Sequence, residues 1–155
     1  MLVINGVKIG AAHIDKGVFA FLSAQANTTC TNAGDWYPIN GTFTNAPMKD
    51  FVFDTDHIEY SGIATTWFLI QYHATFQSDR SLTTAHLAVE KNGSAVDASI
   101  MGQYLKTKDE PFMASGMAAV QLSTNDEIQL LVKSDGAGDV LTFIHYTTAI
   151  TEMFN

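Results

Sequence analysis

Short apolar runs, some alternating and some continuous, recur along the chain, and each is closed by turn chemistry with no helical pattern in between. They fall at 17–23, 50–54, 66–76, 85–90, 99–105, 112–122, 127–133 and 140–150. Val, Ile, Thr, Phe and Tyr dominate them, and β-branched and aromatic side chains fit a pleated surface better than a helix. Between the runs stand Asn92-Gly93, Thr124-Asn-Asp126 and the glycine-rich 134–139 segment, where a positive φ costs little. Residues 11–16 make one helical turn at most. Many strands without intervening helices predict an all-β antiparallel sandwich or barrel. With 155 residues, no linker and no repeat, the chain is one domain. Residues 1–17 read as an N-terminal arm and 18–155 as the sandwich.

Charge narrows the partners. Lys and Arg number 8 against 16 Asp and Glu, a net charge of −8, so no basic face exists to neutralise phosphates and no nucleic-acid partner is expected. No run approaches the ~18 apolar residues that span a bilayer, so no membrane partner is expected. The single cysteine, Cys30, excludes an internal disulfide and a cysteine-rich zinc site.

Two strands depart from the apolar-in, polar-out rule. In 66–76 one face is Phe68, Ile70, Tyr72, Ala74 and Phe76, while the other opens with Trp67 and Leu69 before Gln71, His73 and Thr75. In 140–150, Leu141 and Phe143 point one way and Ile144, Tyr146 and Ile150 the other. A strand apolar on both faces is covered on both, here by another subunit or by the arm. Met113 and Met117 add a soft surface suited to interfaces. Trp67, Leu69, His73, Met113, Met117 and Phe143 are therefore the expected contacts of a homo-oligomer. Val3, Ile4, Val7 and Ile9 are too apolar for a free tail, and Gly6, Gly10 and Gly17 interrupt any long strand. The arm either augments a neighbouring sheet edge as an attachment segment or folds back over Trp67 and Leu69. Trp36 and Tyr37 are candidate surface-recognition residues, or ordinary packing before Pro38.

Motifs for catalysis are absent: no nucleophile elbow, H-E-x-x-H, phosphate loop or C-x-x-C occurs. Asp50, Asp54, Asp56, His57 and Glu59 are the densest polar cluster, open to a metal reading or a solvated turn. Cys30 with His13, His57 or His73 has no neighbouring cation to activate a thiol. His73, His86 and His145 lie on strands, as hydrogen-bonded or interface residues. No enzymatic activity, catalytic residue, metal or cofactor is expected.

Ile58-Glu-Tyr-Ser-Gly62 with Trp67-Phe-Leu-Ile-Gln-Tyr-His-Ala-Thr75 resembles the glycine, aromatic strand and Tyr-His stretch in the globular heads of complement component one q. His86-Leu-Ala-Val-Glu-Lys-Asn-Gly93 is similar to the next hairpin of that family. The 120–132 segment resembles its turn-then-apolar-strand element, with Asn125 in place of Gly. Over about residues 18 to 154 the resemblance implies a ten-stranded jelly roll shared with the tumour necrosis factor family, and a trimer. The animal family's calcium ligands have no counterpart here. The start, Met1-Leu-Val-Ile-Asn-Gly6, lacks signal-peptide character. A stand-alone jelly roll rich in Thr, Asn and Ala is also similar to structural proteins of tailed-bacteriophage virions. The expected function is a trimeric capsid decoration protein, made in the host cytoplasm and resident in the virion, with the major capsid protein or another virion protein as partner. A head-fibre or tail-fibre tip binding a host receptor or glycan is the alternative, and a cytokine-like ligand a third.

Overall fold

A computed structural model describes residues 2–4, 7–9, 17–45, 49–54 and 57–153. In chain order the strands are β1 (Leu2–Ile4), β2 (Val7–Ile9), β3 (Gly17–Leu22), β4 (Ala26–Cys30), β5 (Tyr37–Pro38), β6 (Phe43–Asn45), β7 (Phe51–Asp54), β8 (His57–Tyr60), β9 (Thr66–Ser78), β10 (Thr83–Lys91), β11 (Ser94–Ala95), β12 (Met101–Leu105), β13 (Phe112–Leu122), β14 (Glu127–Ser134) and β15 (Asp139–Glu152). A 3-10 turn at Asp97–Ser99 is the one helical segment among the described residues. Every run expected to be a strand is one. The segments missed, β4, β6 and β8 among them, are polar or very short and lack a period long enough to read.

The strands form two antiparallel sheets and a hairpin. One sheet has the order β11-β10-β14-β8-β7, with β12 also on β10 and β5 on β14; the other runs β13-β9-β15-β3-β6, with β4 also on β15. β1 pairs with β2, Ile4 opposite Val7, in a sheet of their own. Turn chemistry sets the registers. Asn92 and Gly93, with φ of 51° and 81°, make the two-residue link between β10 and β11. Asn125 also takes a positive φ, 67°, where the family resemblance substitutes it for Gly.

The inner faces of the two sheets make the core. Phe51, Tyr60 and Phe68 meet with ring centroids 5.1–5.2 Å apart, joining β7, β8 and β9, and Phe76 lies 5.5 Å from Phe143. Each such pair contributes about 0.5–1.5 kcal/mol beyond area burial. The inward side of β9 is Phe68, Ile70, Tyr72, Ala74 and Phe76, all buried, as the alternation predicts.

β15 is different from its sequence reading. Its pairing with β9 shifts register between Phe143 and His145. A β-bulge there places Ile144 and His145 on the same side and restores the phase, so Leu141, Phe143, Tyr146 and Ile150 all point inward. The strand has one apolar face and needs no second cover.

Candidate functional site

β9, β13 and β15 build one half of the outward side of the six-stranded sheet, with β3, β4 and β6 beyond β15. β13 is an edge strand paired throughout to β9, with Met113 opposite Thr75, Ser115 opposite His73, Met117 opposite Gln71 and Gln121 opposite Trp67. On the other flank of β9, Thr147 faces His73, Ala149 faces Gln71 and Thr151 faces Leu69. Neither β9 nor β13 contains a charged residue. In β15 the charges are confined to its first and last residues, Asp139 and Glu152. The outward side of the other sheet, by contrast, carries Glu59, Glu90, Glu127 and Lys133. On a chain of net charge −8, an uncharged sheet face of this length is the most unusual surface feature of the molecule.

This face is partly apolar and concave. Trp67 is 44%, Met117 59% and Met113 69% exposed, while Leu69 is half-buried. A depression of about 550 Å³ is lined by Gln71, His73, Ser115, Met117, Thr147 and Ala149 and by Met101 of β12. His73 Nδ1 is 2.7 Å from Ser115 Oγ, which fixes the ring on the sheet. Beneath it Tyr72 turns inward, and its hydroxyl donates to the carbonyl oxygen of Ser99 at 2.6 Å, tying the 3-10 turn to this sheet. Burial pushes the Tyr72 phenol up to about 12, so it stays protonated at neutral pH.

Five of the six expected interface residues, Trp67, Leu69, His73, Met113 and Met117, share this face. Phe143 does not: it is fully buried against Phe76, on the inner side of the bulge. Gln71, Met101, Ser115, Thr147 and Ala149 belong to the face too. For all but Met101, their signal in the sequence was the lack of charge along 66–78, 112–122 and 140–151 rather than hydrophobicity. Val3, Ile4, Val7 and Ile9 lie in the β1–β2 hairpin, and their side chains fall outside the described residues.

Trp36 and Tyr37, the candidate surface-recognition residues, lie beside and on β5. Both are half-buried. The Lys133 ammonium sits 4.7 Å from the Trp36 ring centre, and the Tyr37 hydroxyl accepts the Asn32 N–H at 2.8 Å while its backbone pairs with Val132. They close the flank of β14.

The remaining candidates are dispersed. Asp54 and His57 oppose each other in the β7–β8 hairpin, His57 Nε2 lies 3.7 Å from the Glu127 carboxylate, and Asp56 is outside the described residues. Among the described residues no three His, Cys, Asp or Glu side chains converge as metal ligands. Cys30 is buried, and burial raises its thiol to about 11, with the Asp139 carboxylate adding to the rise and a backbone hydrogen bond from Ser134 opposing it. Of the histidines weighed as its nominal partners, His73 is on the outward face of β9, His57 is in β8, and His13 lies outside the described residues. Asp139, also buried, was not singled out in the sequence. Its Oδ2 accepts from Thr83 Oγ1 at 2.9 Å and Ser134 Oγ at 2.6 Å, and its Oδ1 is 3.1 Å from Arg80 Nε.

No family model matches the chain, and no curated protein matches it. Solved structures do resemble it. The Eiger TNF of S. frugiperda superimposes with a TM-score of 0.60 at 13% identity, over 89% of this chain and 92% of that one. Murine APRIL gives 0.53 at 14%, over 83% and 98%. The globular domain of zebrafish complement 1qA is more distant, at 0.47 and 10% over 84% and 94%. At such identities the likeness establishes the fold: a TNF-like antiparallel jelly roll.

Proposed function

We propose that this chain is a non-enzymatic structural protein that assembles with itself as a trimer through the uncharged face of β9, β13 and β15. The observation that carries this reading is the absence of charge from that face on a strongly acidic chain. Subunits of net charge −8 repel one another, and an interface between them is tolerable where neither side brings a carboxylate. The three strands offer about 600 Å² from strand length and spacing. A stable contact needs about 800 Å² per partner, and exposed Met101 and Tyr104 on the neighbouring β12 edge extend the surface toward that value. A concave face joined to a different apolar edge favours a head-to-tail contact that closes into a ring over a twofold pair.

At the finer level, we read the trimer as a decoration protein on a phage capsid, with a virion protein as partner and the β1–β2 hairpin as the attachment segment. An acidic, single-cysteine jelly roll with no catalytic motif is compatible with it. A fibre tip that binds a host receptor or glycan remains the alternative, with half-buried Trp36 and Tyr37 as its candidate contacts.

Light scattering at micromolar concentration tests the assembly, with the mass of three chains expected; the mass of one chain would overturn it. Electron microscopy of particles incubated with the protein tests the role. Regularly spaced copies over the shell are the expected result, and an unchanged shell would remove the decoration reading while leaving the trimer intact.

A further inference from the structure

The uncharged face holds two histidines, His73 and His145, and both are exposed on the isolated subunit. We infer that self-assembly through this face is acid-labile, with His73 and His145 as the groups that release it; this rests on the assembly reading above. The groups around His73 are Gln71 and Thr75 on its own strand, Met113, Ser115 and Met117 on β13, Thr147 and Ala149 on β15, and Met101 of β12. His145 has Thr75 opposite it on β9 and Ile144 and Thr147 beside it on β15, and on its other flank it falls between Ala26 of β4, paired with Phe143, and Phe21 of β3, paired with Thr147. Beneath them Tyr72 and Tyr146 turn inward. No carboxylate is among these residues. Asp139 and Glu152 stand at the two ends of β15, about 15 Å or more along the strand from His145 and from Thr147.

An imidazole ordinarily takes up its proton at about pH 6.5. In an assembled face that proton becomes a cation in a desolvated contact with nothing to neutralise it, and the symmetry brings like charges from every subunit toward one another. The bonded Nδ1 of His73 leaves Nε2 to meet the neighbouring subunit, so the new charge enters at the contact itself. His57 and His86 are different: each lies within 3.7 Å of a carboxylate, Glu127 and Asp135, which would balance their protonation.

The effect runs against the trend of net charge. With an isoelectric point near 4.8, the chain loses net negative charge on acidification, and weaker repulsion favours association. Dissociation on mild acidification therefore points to a local cause.

Sedimentation at micromolar concentration, at about pH 7.5 and about pH 5.5 and fixed ionic strength, tests the inference on wild type, H73Q/H145Q and H57Q/H86Q. Wild type and H57Q/H86Q are expected to be trimers at the higher pH and to weaken roughly a hundredfold at the lower, while H73Q/H145Q stays assembled at both. Wild type that remains trimeric at the lower pH, or H73Q/H145Q that dissociates as readily as wild type, would overturn the inference and leave the assembly reading standing. Wild type that is monomeric at the higher pH overturns the assembly reading, and this inference with it. Histidine ring NMR on wild type reads the same question without substitution: the His73 and His145 rings should protonate in step with dissociation. Protonation of those rings without loss of the trimer would count against the inference.

Discussion

Asp126 shows how one side chain fixes two turns. Lys91 Nζ lies 2.8 Å from Oδ2, the Ser123 backbone N–H donates to Oδ2 at 2.7 Å, and Asn92 Nδ2 donates to Oδ1 at 2.7 Å. Partial burial works to raise its pKa, but the Lys91 and Asn92 bonds, the Ser123 N–H and the Lys91 charge outweigh it and hold the carboxyl below the usual value. A depressed folded-state pKa stabilises above the unfolded value and loses that contribution as pH falls. Asp126→Asn should lower unfolding free energy by about 1–3 kcal/mol at neutral pH. The gap should close as pH drops below about 4, as read by urea titration at both pH values. Gly116 is constrained differently, since a Cβ there would sit 2.3 Å from the Tyr72 hydroxyl. That hydroxyl is buried and bonded to Ser99, so the ring cannot swing aside. Gly116→Ala should cost about 1–3 kcal/mol by thermal unfolding; an unchanged melting temperature would mean that the ring moves freely.

At the level of elements, the bulge in β15 decides which side chains meet the core. Two residues, Ile144 and His145, occupy one outward step of the pleat. Removing Ile144 leaves Phe143 in, His145 out and Tyr146 in, an unbroken alternation. The deletion should therefore keep far-UV and near-UV circular dichroism close to wild type. Deleting Thr75 from β9, where no bulge exists, moves Phe76 to the outward side and should abolish the folded spectrum. If both deletions unfold the protein, the curvature supplied by the bulge is indispensable. β13 poses a related question: an uncharged edge strand such as Phe112–Leu122 invites pairing with another chain unless something covers it.

For the whole molecule, the uncharged face predicts the behaviour of Trp67→Asp. A carboxylate there would be unpaired in an assembled contact, so monomer or aggregate is expected by light scattering, with the circular dichroism of the subunit retained because Trp67 is 44% exposed. A variant that stays trimeric would place the contact elsewhere. Deleting residues 1–17 separates the two readings of the N-terminal segment. An attachment segment leaves the melting curve of the isolated protein unchanged and abolishes particle binding; a large drop in melting temperature would mean that it covers its own sandwich.

Alternation and turn residues were sufficient to establish an all-β sandwich, the main strands and the inward face of β9, because side-chain period and positive-φ preference are local properties. The uncharged face was half legible, since Trp67, Leu69 and Met117 stand out as apolar where polarity is expected. Local pattern failed where two strands had to agree. Nothing in 140–150 distinguishes a two-faced strand from a bulged one, and only pairing to β9 sends Phe143 and Tyr146 to the same side. Asp126 and Asp139 gained their roles from partners tens of residues away. Such contacts depend on register and sheet order, which the chain specifies only through the packing of the complete sandwich.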